Sequence, residues 1–413
     1  MAKKLVLWAI CLVILAAVLA NGTSSALSSW RPGLALMLNP FNSAARIALL
    51  NRDVIAEEWS EEKVLQHALD GNRFAPSNVR FLSMLGLIRE RQGQVEFALK
   101  HYDRVLKHLP TEFQALARRF LYAVQNREYM RAVNLAEIIG RRWPSKWELV
   151  SRFLPAILKS DETLLAMSTG LGKTKRGRAL LVQALKNDPA GHNAAYRMML
   201  LWYKMKIPDI GSEISAVTKS LFDQGQERTA YFLFQQTLDK RTKEKQSGYV
   251  FNGRFEVQPS GSPFDWTIKN QAGVIIERQS QRNGGVEDGE ASYELALNFR
   301  NAPVRLDNVS QFAFLPSGEY QLAVQYRTQG LLAPKPVTVT VVCPKLNKVL
   351  AQIPISEPDV DLVERTALFT VPAGNCPSSK IYLSTDVIEK SWKNRYKGKL
   401  FISRIGITFR GAS

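Results

Sequence analysis

Three patterns of apolar and polar positions follow one another along this chain. From Leu5 to Ala20 the residues are apolar without a break. From Asn42 to Lys245 apolar positions recur every three or four residues among Ala, Leu, Arg and Glu, the period of amphipathic helices. From Gly248 onward apolar and polar residues alternate between Gly and Pro turns, the period of strands. The chain therefore reads as three parts: an N-terminal apolar segment (1–30), a helical array (31–247) and an antiparallel sheet domain (248–413).

Within the array, Pro40, Pro76, Pro110 and Pro144 recur at spacings of 36, 34 and 34. A fixed period of this size means stacked supersecondary units. The clearest unit runs from Val79 to Glu112, with Leu82, Leu85, Gly86, Ala98, Tyr102 and Pro110 at its marked positions. Gly86 and Ala98 are small where two helices cross closely, and Leu82, Leu85 and Tyr102 fill the gap between them. Gly93 sits in the turn. The next unit, Phe113 to Lys146, keeps Leu116, Ala132 and Pro144 but has Phe120 in the glycine position. Asn42 to Asp70 reads as a third helix pair, with Ala44, Ala45, Ala48 and Ala56. Trp147 to Met167 reads as helix. Three more helices are predicted at Gly191–Met205, Asp209–Gln224 and Glu227–Lys245, the last with Ala230, Leu233, Phe234 and Leu238 on one face. These units resemble tetratricopeptide repeats. The resemblance implies a solenoid of helical hairpins whose concave surface takes a protein partner.

In the last part, Glu294–Phe299 puts Leu295, Leu297 and Phe299 on one face, and Tyr320, Leu322, Val324 and Tyr326 alternate with polar residues. Val337 to Val342 is a β-branched run ending at Cys343. Phe401, Ser403, Ile405, Ile407 and Phe409 share a parity and are predicted to share a face. Short strands over this length predict a jelly-roll β-sandwich. The opening Phe251-Asn252-Gly253-Arg254-Phe255-Glu256, followed by Pro263-Phe264-Asp265-Trp266, resembles the start of jelly-roll carbohydrate-binding modules. With the apolar segment and the repeats, the arrangement is similar to proteins associated with bacterial exopolysaccharide production. That resemblance implies a non-catalytic periplasmic adaptor whose repeats bind envelope or polysaccharide-synthesis proteins and whose sandwich binds glycan or a subunit; the basic charge adds an acidic polysaccharide as a candidate partner. The sequence leaves two alternatives: an envelope protein-interaction module without glycan binding, and a glycan-processing enzyme.

Charge and chemistry refine this picture. Lys3 and Lys4 precede the 16-residue apolar run, and Asn21–Ser29, Trp30 and Arg31 follow it. A basic stretch before an apolar one marks export. Two readings stand. Extended through Gly22 and Ala26 to Leu27, the segment is a single inner-membrane span with the bulk of the chain in the periplasm. Cut after Val18 and Ala20, or after Ser24 and Ala26, it is a signal peptide and the remainder is soluble in the periplasm. Cys11 lies inside the run without a lipoprotein cleavage context. Cys343 and Cys376 read either as a disulfide, as expected of an exported domain, or as two unpaired thiols in a sheet core.

The formal net charge is +18, which suits a soluble basic surface or attraction to an anionic partner. Nucleic acid is not expected, since no helix-turn-helix, zinc finger or aromatic single-strand motif is present. Gly170-Leu171-Gly172-Lys173-Thr174 has Met167 where a phosphate-binding loop needs glycine, and reads as a basic turn. The four histidines (His67, His101, His108, His192) all lie in the helical part without metal-ligand spacing. Glu256, Asp265, Glu277, Glu287, Glu290 and Glu319 are carboxylates with no pairing visible in the sequence, and Asp288, Glu290 and Asp307 lack a calcium-loop spacing. No cofactor, metal or catalytic residue is expected. Glycan binding requires exposed aromatics beside polar groups, and Trp266, Tyr293, Tyr326, Trp392 and Tyr396 are the candidate contacts, Trp266 reading more readily as core. Trp392 and Tyr396 are one helical turn apart in a basic stretch.

Overall fold

The computed structural model describes residues 2–56, 61–244, 248–280, 292–374, 376, 378–385 and 392–411. Glu287, Asp288, Glu290 and the side chain of Trp392 lie outside the described positions. The chain folds as two compact units, Met1–Leu180 and Leu181–Ser413.

The first unit is all helix. Its helices are α1 (Ala2–Leu27), α2 (Pro32–Leu38), α3 (Ser43–Ala56), α4 (Glu61–Phe74), α5 (Arg80–Arg91), α6 (Val95–His108), α7 (Phe113–Gln125) and α8 (Tyr129–Arg142). The pairs α3/α4, α5/α6 and α7/α8 pack as consecutive hairpins, giving the expected tetratricopeptide-like layout. One core runs through the stack, from Leu50 and Ala68 through Phe81, Leu85, Ala98 and Tyr102 to Ala115. The signature positions act as the pattern predicts. A Cβ on Gly86 would stand 2.6 Å from the Tyr102 ring, so only glycine admits this crossing. A second such contact escaped the sequence reading: a Cβ on Gly71 would meet the Phe81 ring. Polar links join successive hairpins. Ser83 donates to Glu112 (2.8 Å), whose carboxylate also accepts from the Ala115 N–H (2.7 Å) and so caps α7. Asp103 on α6 accepts from buried Arg119 on α7 (2.8 Å) and from Arg131 on α8 (2.9 Å).

The predicted helix Trp147–Met167 is broken. Two single turns, α9 (Glu148–Ser151) and α10 (Leu154–Ile157), precede α11 (Asp161–Thr169). Pro155 lacks the N–H a continuous helix needs, and Ser160 caps a fresh start by accepting from the Thr163 N–H (3.2 Å). Leu171–Lys173 forms a 3-10 turn with Leu171 in the core. Helix α12 (Lys175–Lys186) then crosses from the first unit into the second.

Among its described residues the second unit holds α13 (His192–Lys204), α14 (Gly211–Asp223), α15 (Glu227–Thr237), the short α16 (Lys240–Lys243) and ten strands. The predicted helix Glu227–Lys245 ends early, at Thr237, because Asp239 caps a new turn by accepting from the Thr242 N–H (2.8 Å). The strands are β1 (Thr267–Ile268), β2 (Val274–Ser280), β3 (Tyr293–Pro303), β4 (Val309–Ala313), β5 (Gly318–Leu332), β6 (Val337–Cys343), β7 (Lys348–Ile355), β8 (Val360–Val371), β9 (Ser379–Thr385) and β10 (Arg395–Gly411). They form two antiparallel sheets of order β2-β3-β10-β5-β8 and β1-β4-β9-β6-β7. Without β1 and β2, the orders β3-β10-β5-β8 and β4-β9-β6-β7 are those of a jelly roll. Inward residues of both sheets make one core that includes Trp266, Leu297, Tyr320, Val339 and Ile381. Cys343 and Cys376 form a disulfide between the end of β6 and the approach to β9.

The composition change at Ser247-Gly248 marks where helices give way to strands, but helices before it pack on the sandwich. Phe222 of α14 meets Phe312 of β4 (4.5 Å between ring centroids), and Tyr231 of α15 stacks on Phe314 (5.1 Å) and meets Phe264 edge-on. Phe234 meets Phe251 at 5.0 Å. Aromatic pairs of this kind add about 0.5–1.5 kcal/mol each beyond their buried area. Glu227 of α15 accepts from Ser378 (2.7 Å) and pairs with Lys345 (3.9 Å). Helices α14 and α15 thus lie against the outer side of the second sheet at β4.

Candidate functional site

On the outer side of the first sheet, alternation decides which of the described residues are displayed. On β3, Leu295, Leu297 and Phe299 point into the core, so Glu294, Ala296 and Asn298 point out. On β5, Tyr320, Leu322, Val324 and Tyr326 point in, so Gln325, Arg327 and Gln329 point out. Strand β10 does not keep one parity. Its register slips between Ile402 and Arg404, leaving Ser403 as the extra residue of a bulge. Leu400, Ile402, Ile405 and Ile407 enter the core, while Phe401 and Ser403 face outward. The single shared face predicted for Phe401, Ser403, Ile405, Ile407 and Phe409 is therefore split at the bulge.

The registers align two rows across the sheet. One is Glu277, Ala296, Phe401 and Arg327; the next is Ile275, Asn298, Lys399 and Gln329. They line a shallow cleft of about 390 Å³. At its centre the Arg327 guanidinium lies 3.5 Å from the centroid of the Phe401 ring. Glu294 fixes it from beneath, accepting from Nη2 at 2.6 Å and from Nε at 3.3 Å. Gln279 donates to the same carboxylate at 2.8 Å. The Glu294 side chain is 1% exposed and that of Arg327 33%. A buried carboxylate is tolerable only when its oxygens are satisfied, which the guanidinium fork and the Gln279 amide achieve. The result is a rigid, partly exposed guanidinium plane flanked by Lys399 as a cation, Glu277 as an acceptor, and the amides of Asn298 and Gln329. This set can hydrogen-bond hydroxyls and pair with carboxylates or sulfates.

The aromatics singled out from the sequence lie elsewhere. Trp266 is buried in the core, its ring N–H donating to the Asn252 carbonyl (3.0 Å). Tyr326 is buried with its hydroxyl donating to Glu357 (3.1 Å), and buried Tyr396 packs on Phe299 and donates to the Lys335 carbonyl (3.0 Å). Each ring is consumed by packing, and none offers a face to a ligand. Tyr293 is half-buried at the edge of β3, with the Arg278 guanidinium 3.4 Å from its ring centroid. The side chain of Trp392 lies outside the described residues. The four whose side chains are described are not gathered at one exposed site. Of the residues the structure does assemble, Glu277, Glu294, Asn298, Arg327 and Gln329 were legible only as the polar parity of strands read for their apolar parity, while Phe401, and Lys399 in its parity, come to this face only through the bulge.

The described carboxylates of the sequence reading are also dispersed. Asp265 is buried and accepts from the Ser260 and Trp266 N–H groups (both 2.7 Å). Burial pushes its carboxyl up, against the downward pull of those bonds, and it serves as a clamp on the turn before β1. Glu277 lies on the polar sheet face, and Glu319 at the far end of β5. His192 is buried between the Lys186 carbonyl (3.1 Å) and Gln226 (3.0 Å), and His67 lies by Arg46. Among the described residues, no three His, Cys, Asp or Glu side chains are grouped to hold a metal ion.

The helical unit offers a second cleft, of about 410 Å³, lined by Ile47, Met84, Leu109, Phe113 and Trp143 with Asn51 and Glu112 at its rim. It is a groove of mixed apolar and polar lining among the stacked hairpins.

No protein-family model and no curated protein matches this chain. Among solved structures, a CBM4 domain is similar over 39% of this chain and 99% of its own, at 13% identity and a TM-score of 0.28. The CBM22-1 xylan-binding domain of Paenibacillus barcinonensis Xyn10C covers 39% of this chain and 94% of its own, at 16% identity and a TM-score of 0.27. MamA from Desulfovibrio magneticus RS-1 covers 47% of this chain and 92% of its own, at 17% identity and a TM-score of 0.27. At these scores no likeness bears on ligand or partner.

Proposed function

We propose that this chain is a non-catalytic adaptor of the bacterial envelope acting in exopolysaccharide biosynthesis or export. In this reading α1 spans the inner membrane, the remainder lies in the periplasm, the helical hairpins bind protein partners and the first sheet binds an acidic glycan. The observation that carries it is the Arg327 guanidinium held over the Phe401 ring by Glu294, with Lys399, Asn298 and Gln329 beside it. A fixed cationic plane among amides suits a polymer bearing both carboxylates and hydroxyls. The disulfide and the excess positive charge are consistent with an oxidising compartment and an anionic partner.

The test is equilibrium binding of the full chain to a uronic-acid polymer and to a neutral glucan, at low and elevated salt. Wild type is expected to bind the acidic polymer at both. The double substitution Lys399→Gln, Asn298→Ala changes only exposed side chains and is expected to weaken binding about tenfold, the loss of one charge-assisted hydrogen bond. No binding at low salt sinks the glycan assignment. Binding that disappears with modest salt, equally in both proteins, reduces it to general charge attraction. The hairpin groove beside Met84 and Phe113 supports a second reading, an envelope protein-interaction module, under which neither polymer binds.

A further inference from the structure

Residues 30–41 form an apolar surface that is left exposed among the described residues of their own unit. Trp30, Leu34, Met37, Leu38 and Phe41 fall at helical spacing, and their exposure runs from 44% at Leu34 to 80% at Met37. The opposite side of α2 is spent on packing, with Pro32 and Ala35 buried. Soluble helices turn such a stripe inward. Here it faces out, on a helix bonded to the end of the apolar α1.

Those bonds are specific. Ser24, wholly buried, donates to the Ala35 carbonyl (2.7 Å) and accepts from the Asn42 amide (2.8 Å). Asn39 donates to Asn21 at 2.9 Å. Asn42 also accepts from the Ala45 N–H (3.0 Å), capping α3. The stretch Asn21–Ser29, which the sequence offers as a cleavage region, is thus the inner side of a packed corner. Its bonds hold α2 at the end of the Val6–Leu27 stretch, which is long and apolar enough to cross a membrane. Arg31 lies over the Trp30 ring at 5.0 Å, an aromatic-cation pair of the kind that anchors at headgroup depth. Phe74 of α4 braces Phe41 edge-on at 5.2 Å and is itself exposed.

We infer that α2 with Trp30 and Phe41 lies in the lipid headgroup region, on the side of the bilayer away from Lys3 and Lys4, and that α1 is retained as its anchor. This rests on the reading of α1 as a span. The occupant is a lipid surface because the stripe continues, through fixed hydrogen bonds, the exposed apolar side of the spanning helix. An interfacial helix of this kind sits about 5–10 Å into the headgroup–acyl boundary. Two contacts, one across and one along the membrane, then hold the first hairpins at a set angle to the bilayer.

The experiment is spin-label depth measurement on the full chain in vesicles of phosphatidylethanolamine and phosphatidylglycerol. Cys11→Ser removes the free thiol, and single labels go to M37C, F41C, V13C in the span and K107C on exposed α6. The ratio of oxygen to aqueous nickel-chelate accessibility at M37C and F41C is expected to exceed that at K107C several-fold. A V13C label in lipid with M37C and F41C as wet as K107C overturns the inference and leaves the span. A V13C label in water overturns the span itself. Labels at M37C and F41C shielded from both agents place the stripe against protein, and that too overturns the inference.

Discussion

At the scale of single residues, the structure separates side chains the sequence could assign from those it could not. Gly86 and Tyr102 were assignable, because a small residue facing a large one across the two helices of one hairpin has one packing use. Trp266 was half assignable: its place soon after Phe251–Glu256, read as an opening strand, pointed to the core; the structure has turn rather than strand there, and the ring is held in the core by its bond to the Asn252 carbonyl. Glu357 was invisible, since its role comes from contacts made across the fold. It accepts from Tyr326 (3.1 Å), Arg365 (3.2 Å) and the Ser356 N–H (3.1 Å). Burial pushes its carboxyl up, but these bonds together with its own N–H outweigh burial and hold it below the usual carboxylate range. A lowered folded-state value means that the contribution is present above the unfolded value of about 4.3 and lost as pH falls through the folded one. Glu357→Gln is therefore expected to lower the urea midpoint of the sandwich at neutral pH and to differ less from wild type near pH 3. An equal gap at both pH values refutes the assignment.

At the scale of elements, four helices end on the same device. Gly93, Arg127, Lys206 and Gly225 have φ of 73°, 60°, 54° and 78°, and the residue after each donates back five positions. This is the Schellman cap, which asks for a left-handed residue. Glycine was visible as a turn signal at Gly93; the same turn at Arg127 carried no such mark, because a side chain there is strained but tolerated. Nothing lies within 4 Å of a Cβ built on Gly93, so its identity answers to φ alone. Arg127→Gly is expected to raise the unfolding midpoint of the helical unit and Gly93→Ala to lower it, each by about 0.5–1 kcal/mol. Thermal melts of the two variants check both signs. Pro155 and Asp239 make the converse point: periodicity saw apolar faces continue, and local backbone chemistry stopped the helices.

At the scale of the molecule, the disulfide and the helix seam act together. Lys345 and Ser378, the two residues that grip Glu227 on α15, each lie two positions beyond a bridged cysteine. The bridge closes a separation of 33 residues, for which loop entropy gives about 3–4 kcal/mol. Replacing both cysteines by serine is expected to cost about that much and to speed amide exchange across Glu227–Thr237 before the strands respond. Unchanged exchange in that helix separates the bridge from the seam.

The sequence by itself determined where helices stop and strands begin, that the helices pair, and which parity of each regular strand is apolar, because these follow from local spacing. It offered Cys343 and Cys376 as partners. Only the tertiary structure decided what each face meets. A one-residue bulge at Ser403 reverses the parity of β10 and turns Phe401 out beneath Arg327. The aromatic rings of α14 and α15, apolar to any sequence reading, find their partners on β4 rather than on another helix. Burial is a property of pairs distant in sequence, and alternation along one strand or helix cannot say which distant surface will cover it.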